Sequence, residues 1–536
     1  MLRDARQLPG NWLIDTDLCI IGAGPAGITI AGEFLAHGTR VCLVESGGLD
    51  LERRAQRLNH GTSVGYSTYL LHHARVRAFG GSSRHWVGPG DETWAARQLD
   101  PIDFEVRPGV PHSGWPFGLA ELEPQYEQAR SICKLGPEGP SPTAWDGETT
   151  ASALPLRGAE VETTLFQHGT STFEGYHHEL ARSANVTLLL HATAVHLATG
   201  GDPEVVDAVE LRRDDGSRCV VRPKVVVLAA GGIENPRLLL LSDRTHRRGL
   251  GNHHDLVGRF FAERLSARSG YLAGGPELLR RASFYGVHAD HGTRVQGALR
   301  VADPVQRERD LLNCAFFLLP RQSTMTAEAV RSLATLVKGV GRRPLPDAPM
   351  AHLRNVVRGA GDLTALGLDK LRRPSDDRTV LVLRFQAEQA PNRESRVTLG
   401  SRRDPLGLPV AQLDWRMAAA DRDSIRRSQE LVDAALRAAG LGRVEMLLGD
   451  ERPPALIEGN YHHLGATRMH ASPRLGVTDP DCRVHGVRNL YVAGSSLFPT
   501  YGCSNPTLTV VALALRLADH LKKVLAGGRP LVRLGQ

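Results

Sequence analysis

Gly22, Gly24 and Gly27 stand as G-x-G-x-x-G in "TDLCIIGAGPAGITIAGEFLAHGTRVCLVESGG". This spacing suits a pyrophosphate. The first glycine permits the tight turn, the second lets the phosphate approach the backbone, and the third lets a helix pack closely on the sheet. The helix N-terminus then faces the anion. Glu45 ends the next apolar run and can accept hydrogen bonds from ribose hydroxyls. An acid there disfavours a 2′-phosphate, which points to FAD or NAD rather than NADP.

These residues need a strand, a helix and a second strand to position them. "LCII" reads as a buried parallel strand. "PAGITIAGEFLAHG" reads as a helix ended by Gly38, and "RVCLVE" as the following strand. Further strands are expected far downstream. "NVTLLLHATAVHLATG", "VVDAVELRRDDGS" and "RCVVRPKVVVLAAGGIENPRLLLLS" read as a meander leading into a glycine turn and a helix. "NLYVAGSS", with Gly494, reads as a last strand, followed by the helix "NPTLTVVALALRLADHLKKVL". A sheet assembled from separated segments favours one long cofactor, FAD, over NAD.

The chain has 536 residues, more than one core normally spans, so two or three folding units are expected. With 41% hydrophobic and 23% charged residues it falls in the globular range, and disorder is not the default. The net charge of +7 is spread along the chain without a zinc-finger or RNP-like pattern, so nucleic-acid binding is not expected. Seven scattered cysteines without C-x-x-C read as reduced thiols in a cytoplasmic protein, with no metal site. No apolar run of about 18 residues exists to span a membrane. No stretch of signal-peptide character precedes the first strand.

Five segments together resemble the glucose–methanol–choline (GMC) flavin oxidoreductases, in their pyranose-oxidase-like branch. They are "GAGPAG…VESGG", "FGGSSRHW", "LDPIDFE…SGWP", "VVLAAGGIENPRLLLLS" and "YHHLGATRMH…NLYVAGSSLFPTYGCSNPTLT". The resemblance implies an α/β protein: a Rossmann-like FAD-binding domain with a discontinuous sheet, and a substrate domain of antiparallel sheet and helices. Residues 1–105, 181–265 and 456–536 are assigned to the first, and 106–180 and 266–455 to the second. "RTVLVLRFQAEQAPNRESRVTLGSRRDPLGLPVAQLDWRM" is expected to give strands of the substrate sheet.

The implied reaction is oxidation of an alcohol CH–OH to a carbonyl, with hydride passing to flavin N5. A neutral imidazole suits the base that takes the hydroxyl proton. His462 matches the family's catalytic histidine and Asn505 its second catalytic position. Asn505 also reads as a helix N-cap ahead of Pro506. His463 is expected behind the site or at the surface. Gly81, Ser82, His85 and Trp86 match the flavin-facing glycine turn of the family. In pyranose oxidase the histidine of that turn is bonded to the flavin 8α-methyl. Arg84 stands here where threonine is expected, so covalent attachment through His85 and close packing without a bond both remain open.

The implied substrate is a sugar, a glycoside or an aminosugar such as an aminoglycoside precursor. O2 or another acceptor would take the electrons. Trp86, Trp415, Glu388 and Gln389 are candidates for substrate contacts, Glu388 for amino groups. A non-sugar alcohol, a lyase reaction on the same fold, and a flavoprotein that only binds a partner are the alternatives. The basic stretch 322–375 reads as a helical lid or exposed insert.

Overall fold

The strand that carries the glycine loop is longer than its apolar run. It spans Trp12–Ile21, and only its second half is continuously buried. Its first half alternates, because there it pairs with the exposed end of Arg218–Leu228. The computed structural model describes residues 1–66, 69–86, 93–136, 152–170, 172–290, 293–320, 380–447 and 457–527, with isolated positions between 336 and 357. The basic stretch 322–375 lies almost wholly outside the described residues.

An eight-stranded sheet forms one core. Leu2–Asp4, Val186–Leu190, Val41–Val44, Trp12–Ile21 and Arg218–Leu228 lie side by side in parallel. Leu490–Val492 also pairs in parallel with Arg218–Leu228. In the sheet interior, at Val41–Val44, Val186–Leu190 and the ends of Trp12–Ile21 and Arg218–Leu228, these strands are mostly buried and nearly all apolar, as a parallel sheet requires. Val206–Arg212 and Thr193–Thr199 extend the far edge antiparallel. The meander is therefore real only from Thr193 onward. Val186–Leu190 leaves it and joins Val41–Val44 instead, because its apolar face needs the parallel interior.

The helix after the glycine loop is Pro25–Gly32, shorter than the expected run to Gly38. Its last residues tighten into i→i+3 turns, Phe34 to Ala31 and Leu35 to Gly32. The C-terminal helix Thr507–Ala526 packs against it and is buried along most of its length.

A nine-stranded antiparallel sheet forms the second core. Leu265–Ala273, Val380–Ala387, Cys314–Pro320, Thr293–Val301 and Val161–Gly169 are consecutive neighbours in it. Trp94–Ala96 closes one edge and Arg443–Met446 the other. The long helix Ala419–Ala438 covers this sheet with Ile425, Val432 and Leu436. The hairpin Arg396–Arg403 and Pro409–Asp414 does not join it. That hairpin pairs with Gly61–Ser63 as a separate three-stranded sheet. The segment 380–414 thus divides between two sheets, because the turn at residues 388–395 carries it across the molecule.

Candidate active site

A long cavity starts at the glycine loop and runs to the His462 segment. Gly22, Gly24, Glu45, Gly81, Ser82 and Trp86 line it, as do Gly494 and His462. The glycines divide by task. A Cβ at Gly27 would lie 2.0 Å from the Gly22 carbonyl oxygen, so Gly27 lets the helix seat on the loop and does not face the cavity. A Cβ at Gly24 would meet nothing nearer than the Gly81 Cα at 4.0 Å. The backbone there is open to the cavity, at the start of Pro25–Gly32, where an anion is favoured.

Glu45 is buried at the cavity wall. Its Oε2 accepts from the Ala23 N–H at 3.0 Å and its Oε1 from the Gly47 N–H at 2.9 Å. The carboxylate braces both flanking turns and keeps lone pairs for a ribose.

Several lining residues escaped the sequence reading. Gly231 opens the helix Gly231–Leu241 onto the cavity with nothing within 4 Å of its Cβ direction. Arg75 and Arg77 both pair with the half-buried Glu234, Arg77 at 2.8 Å. Arg77 also donates to Asn59 Oδ1 at 2.7 Å and to Ser46 Oγ at 2.9 Å. The only available signals were the "AAGG" turn after a strand and the arginines of "HHARVRAFGG".

His462 is half-buried and its Nδ1 has no protein partner. Burial, the Arg264 charge and then His463 hold its pKa well below the usual imidazole value. His463 is not at the surface. It is buried against the cavity, its Nε2 lacks a hydrogen-bond partner, and burial and Arg75 push its pKa down to about 3. Two neutral imidazoles with buried, unsatisfied nitrogens at a cavity wall call for a partner in the cavity, a ligand or ordered water.

Asn505 does not cap the last helix. It does not line the long cavity, and its side chain makes no cap bond. The helix begins at Thr507 because the amide is engaged elsewhere: Oδ1 accepts from Arg264, and Nδ2 donates to the Ala95 carbonyl at 2.6 Å. His85 is exposed and also lies off the cavity. Its neighbour Arg84 donates to the Leu49 carbonyl at 3.0 Å and pairs with Glu174 at 2.8 Å. Gly81, Ser82 and Trp86 are the residues of this turn that line the cavity.

Glu388 and Gln389 serve the fold. Glu388 pairs with the buried Arg107 at 2.7 Å and accepts from the Asn313 N–H at 3.0 Å. Gln389 Oε1 accepts from the buried Trp415 at 2.9 Å.

Residues 17–362 match the model of the FAD dependent oxidoreductases, and residues 391–514 that of the GMC oxidoreductase C-terminal part. The chain belongs to the GMC oxidoreductases. This GMC chain is 25% identical to the 6'''-hydroxyparomomycin C oxidase of Streptomyces lividus, across 96% of the chain and 92% of that protein. It is 24% identical to the 2-methyl-1,2-propanediol dehydrogenase of Mycolicibacterium austroafricanum, across 95% of each. It is 26% identical to the paromamine 6'-oxidase of Streptomyces fradiae, across 94% of the chain and 90% of that protein. Pyridoxine 4-oxidase from Mesorbium loti shares its fold, with a TM-score of 0.55 at 17% identity over 95% of this chain and 99% of that one. The open backbone at Gly24 and Gly231 and the unsatisfied imidazoles fit a bound FAD, the cofactor of this GMC oxidoreductase. No described helix is long and apolar enough to cross a membrane.

Proposed function

We propose that the chain oxidises the CH–OH group of a small sugar-like or aminoglycoside-like alcohol to a carbonyl. One observation carries this reading. The dinucleotide cradle and the neutral, unsatisfied imidazole of His462 lie on one continuous cavity. FAD, when bound, supplies the hydride acceptor. His462 takes the hydroxyl proton while the C–H hydride and its electron pair leave the carbon, so the alcohol loses two hydrogens and becomes a carbonyl. Burial keeps the His462 imidazole in the neutral form that a base requires, at some cost in proton affinity. O2 or another oxidant would take up the two electrons. Gly22, Gly24 and Gly81, with Ser82, would hold the pyrophosphate end, and Trp86, Gly494 and His462 the flavin end.

We read the flavin as held without a covalent bond, because the His85 imidazole is exposed and off the cavity. A second reading, a small neutral alcohol, is favoured by one observation. Glu388, the carboxylate expected to meet amino groups, is committed to Arg107.

Anaerobic mixing with a panel of aminoglycosides, glycosides and simple diols tests both readings by bleaching of the flavin. Bleaching by aminoglycosides or glycosides supports the first, and by simple diols alone the second. No bleaching by any alcohol would refute both.

A further inference from the structure

The strand start that bears Arg264 runs beside the His462 segment. Ala262 and Leu464 exchange both backbone hydrogen bonds, at 3.1 and 3.0 Å. Further along, Leu265 pairs with Gly459 and Ser266 with Glu458. Arg264 falls between these pairings, across from residues 460–462. Its side chain is only 2% exposed. One Nη donates to the Cys503 carbonyl at 3.0 Å and the other to Asn505 Oδ1, while Nε is buried without a partner.

Several other buried arginines of this chain face carboxylates, whereas Arg468, equally buried, lies over the Phe260 ring and donates to the His112 carbonyl. Arg107 meets Glu388 at 2.7 Å, Arg237 meets Asp404 at 2.6 Å, and Arg300 meets Glu162 at 2.7 Å. Among the described residues no carboxylate lies within ion-pair distance of Arg264. Its chain neighbour Glu263 turns the other way, accepting from Tyr69 and from the His462 backbone N–H. Burial pushes the Glu263 carboxyl up to about 8, so near neutral pH it is mostly uncharged. A buried cation without a counter-ion is costly unless its charge is used.

We propose that Arg264 is a positioning residue of the catalytic pair: its guanidinium sets the Asn505 amide and places a positive charge across from the His462 segment. The proposal rests on the reading of His462 as base, and it takes Asn505 as the second catalytic position that the family resemblance implies. The groups around His462 are Arg264 and Glu263 just ahead of the strand Leu265–Ala273, Tyr461 and His463 on its own segment, Tyr69, and Glu458 from the short strand Glu458–Gly459. Arg264 is the first charge acting on His462 after burial, and it acts to lower the pKa. The same positive charge favours the negative oxygen that remains when a hydroxyl loses its proton. The fork geometry explains arginine here, since one planar group reaches the Cys503 carbonyl and the Asn505 amide together.

The test follows the oxidised flavin spectrum of the FAD-loaded enzyme against pH, which requires no substrate. Wild type is compared with Arg264→Gln, Arg264→Lys and His462→Ala. Arg264→Gln is expected to show a His462-dependent transition at least about one pH unit above wild type, or one where wild type has none. Arg264→Lys keeps the charge and should follow wild type, and His462→Ala should remove the transition. A transition at one pH in wild type and Arg264→Gln, or none in either, overturns the proposal.

Should Arg264→Gln not fold, a double-mutant cycle decides. Arg264→Lys should slow anaerobic flavin reduction about tenfold in the wild-type background and less than about twofold with Asn505→Ala, because positioning counts only when the amide is present. Equal slowing in both backgrounds overturns the proposal. Failure of every alcohol to bleach the flavin sinks the proposed reaction but leaves the spectral result standing.

Discussion

His462 donates its backbone N–H to Glu263 Oε2 at 2.8 Å, so a carboxyl with no exposed surface anchors the segment that bears the base. The second oxygen of that carboxyl accepts from Tyr69 and lies 3.6 Å from His463 Nε2. Burial raises the Glu263 pKa to about 8, above its ordinary value. Between roughly pH 4.5 and 8 the unfolded chain has released this proton while the folded one retains it, so folding loses stability as pH rises through that window. Glu263→Gln imitates the protonated form. Its melting temperature relative to wild type should rise from pH 5 to pH 8, by about 2 °C or more. Thermal melts at the two pH values check this, and a constant difference would contradict it.

Removing the base should leave the cofactor in place. His462→Ala is expected to slow anaerobic flavin reduction by about a hundredfold or more with unchanged flavin content, the usual loss for a general base. Unaltered reduction kinetics would shift the role to His463, which shares the cavity wall.

Two glycines of one motif should fail differently. Gly24→Val places its side chain into open cavity, so the protein should fold with a normal far-ultraviolet spectrum and purify colourless. Gly27→Val drives a side chain into the Gly22 carbonyl and should impair folding itself. Yellow Gly24→Val protein would place the phosphate cradle elsewhere.

Acid precipitation should release the flavin into the supernatant, since His85 is exposed and lies off the cavity. Colour that stays with the pellet, and is freed by His85→Ala, would establish a covalent bond instead.

Glu388→Ala strands the buried Arg107 charge. Breaking one partner of such a pair costs about 3–5 kcal/mol. Denaturant unfolding should show that loss, while the ranking of substrates in the bleaching panel stays the same. A changed ranking at normal stability would return Glu388 to the substrate site.

The cofactor cradle was legible because its chemistry is local. Gly22, Gly24, Gly27 and Glu45 belong to one strand–turn–helix–strand unit, and their spacing alone dictates which backbone faces a phosphate. The parallel strands were equally plain as short apolar runs, although Trp12–Ile21 began earlier and Pro25–Gly32 ended sooner than hydrophobicity suggests. The surroundings of the base were not legible. Arg264, Glu263 and Tyr69 reach the His462 segment from far along the chain, and no periodicity links them. Glu388 looked available for a substrate until Arg107, 281 residues away, proved to hold it. Asn505 looked like a helix cap until Arg264 and Ala95 claimed its amide. Short-range spacing sets which backbone can cradle a phosphate. Whether a buried side chain is charged, paired or free depends on partners that only the folded sheets bring within hydrogen-bond reach.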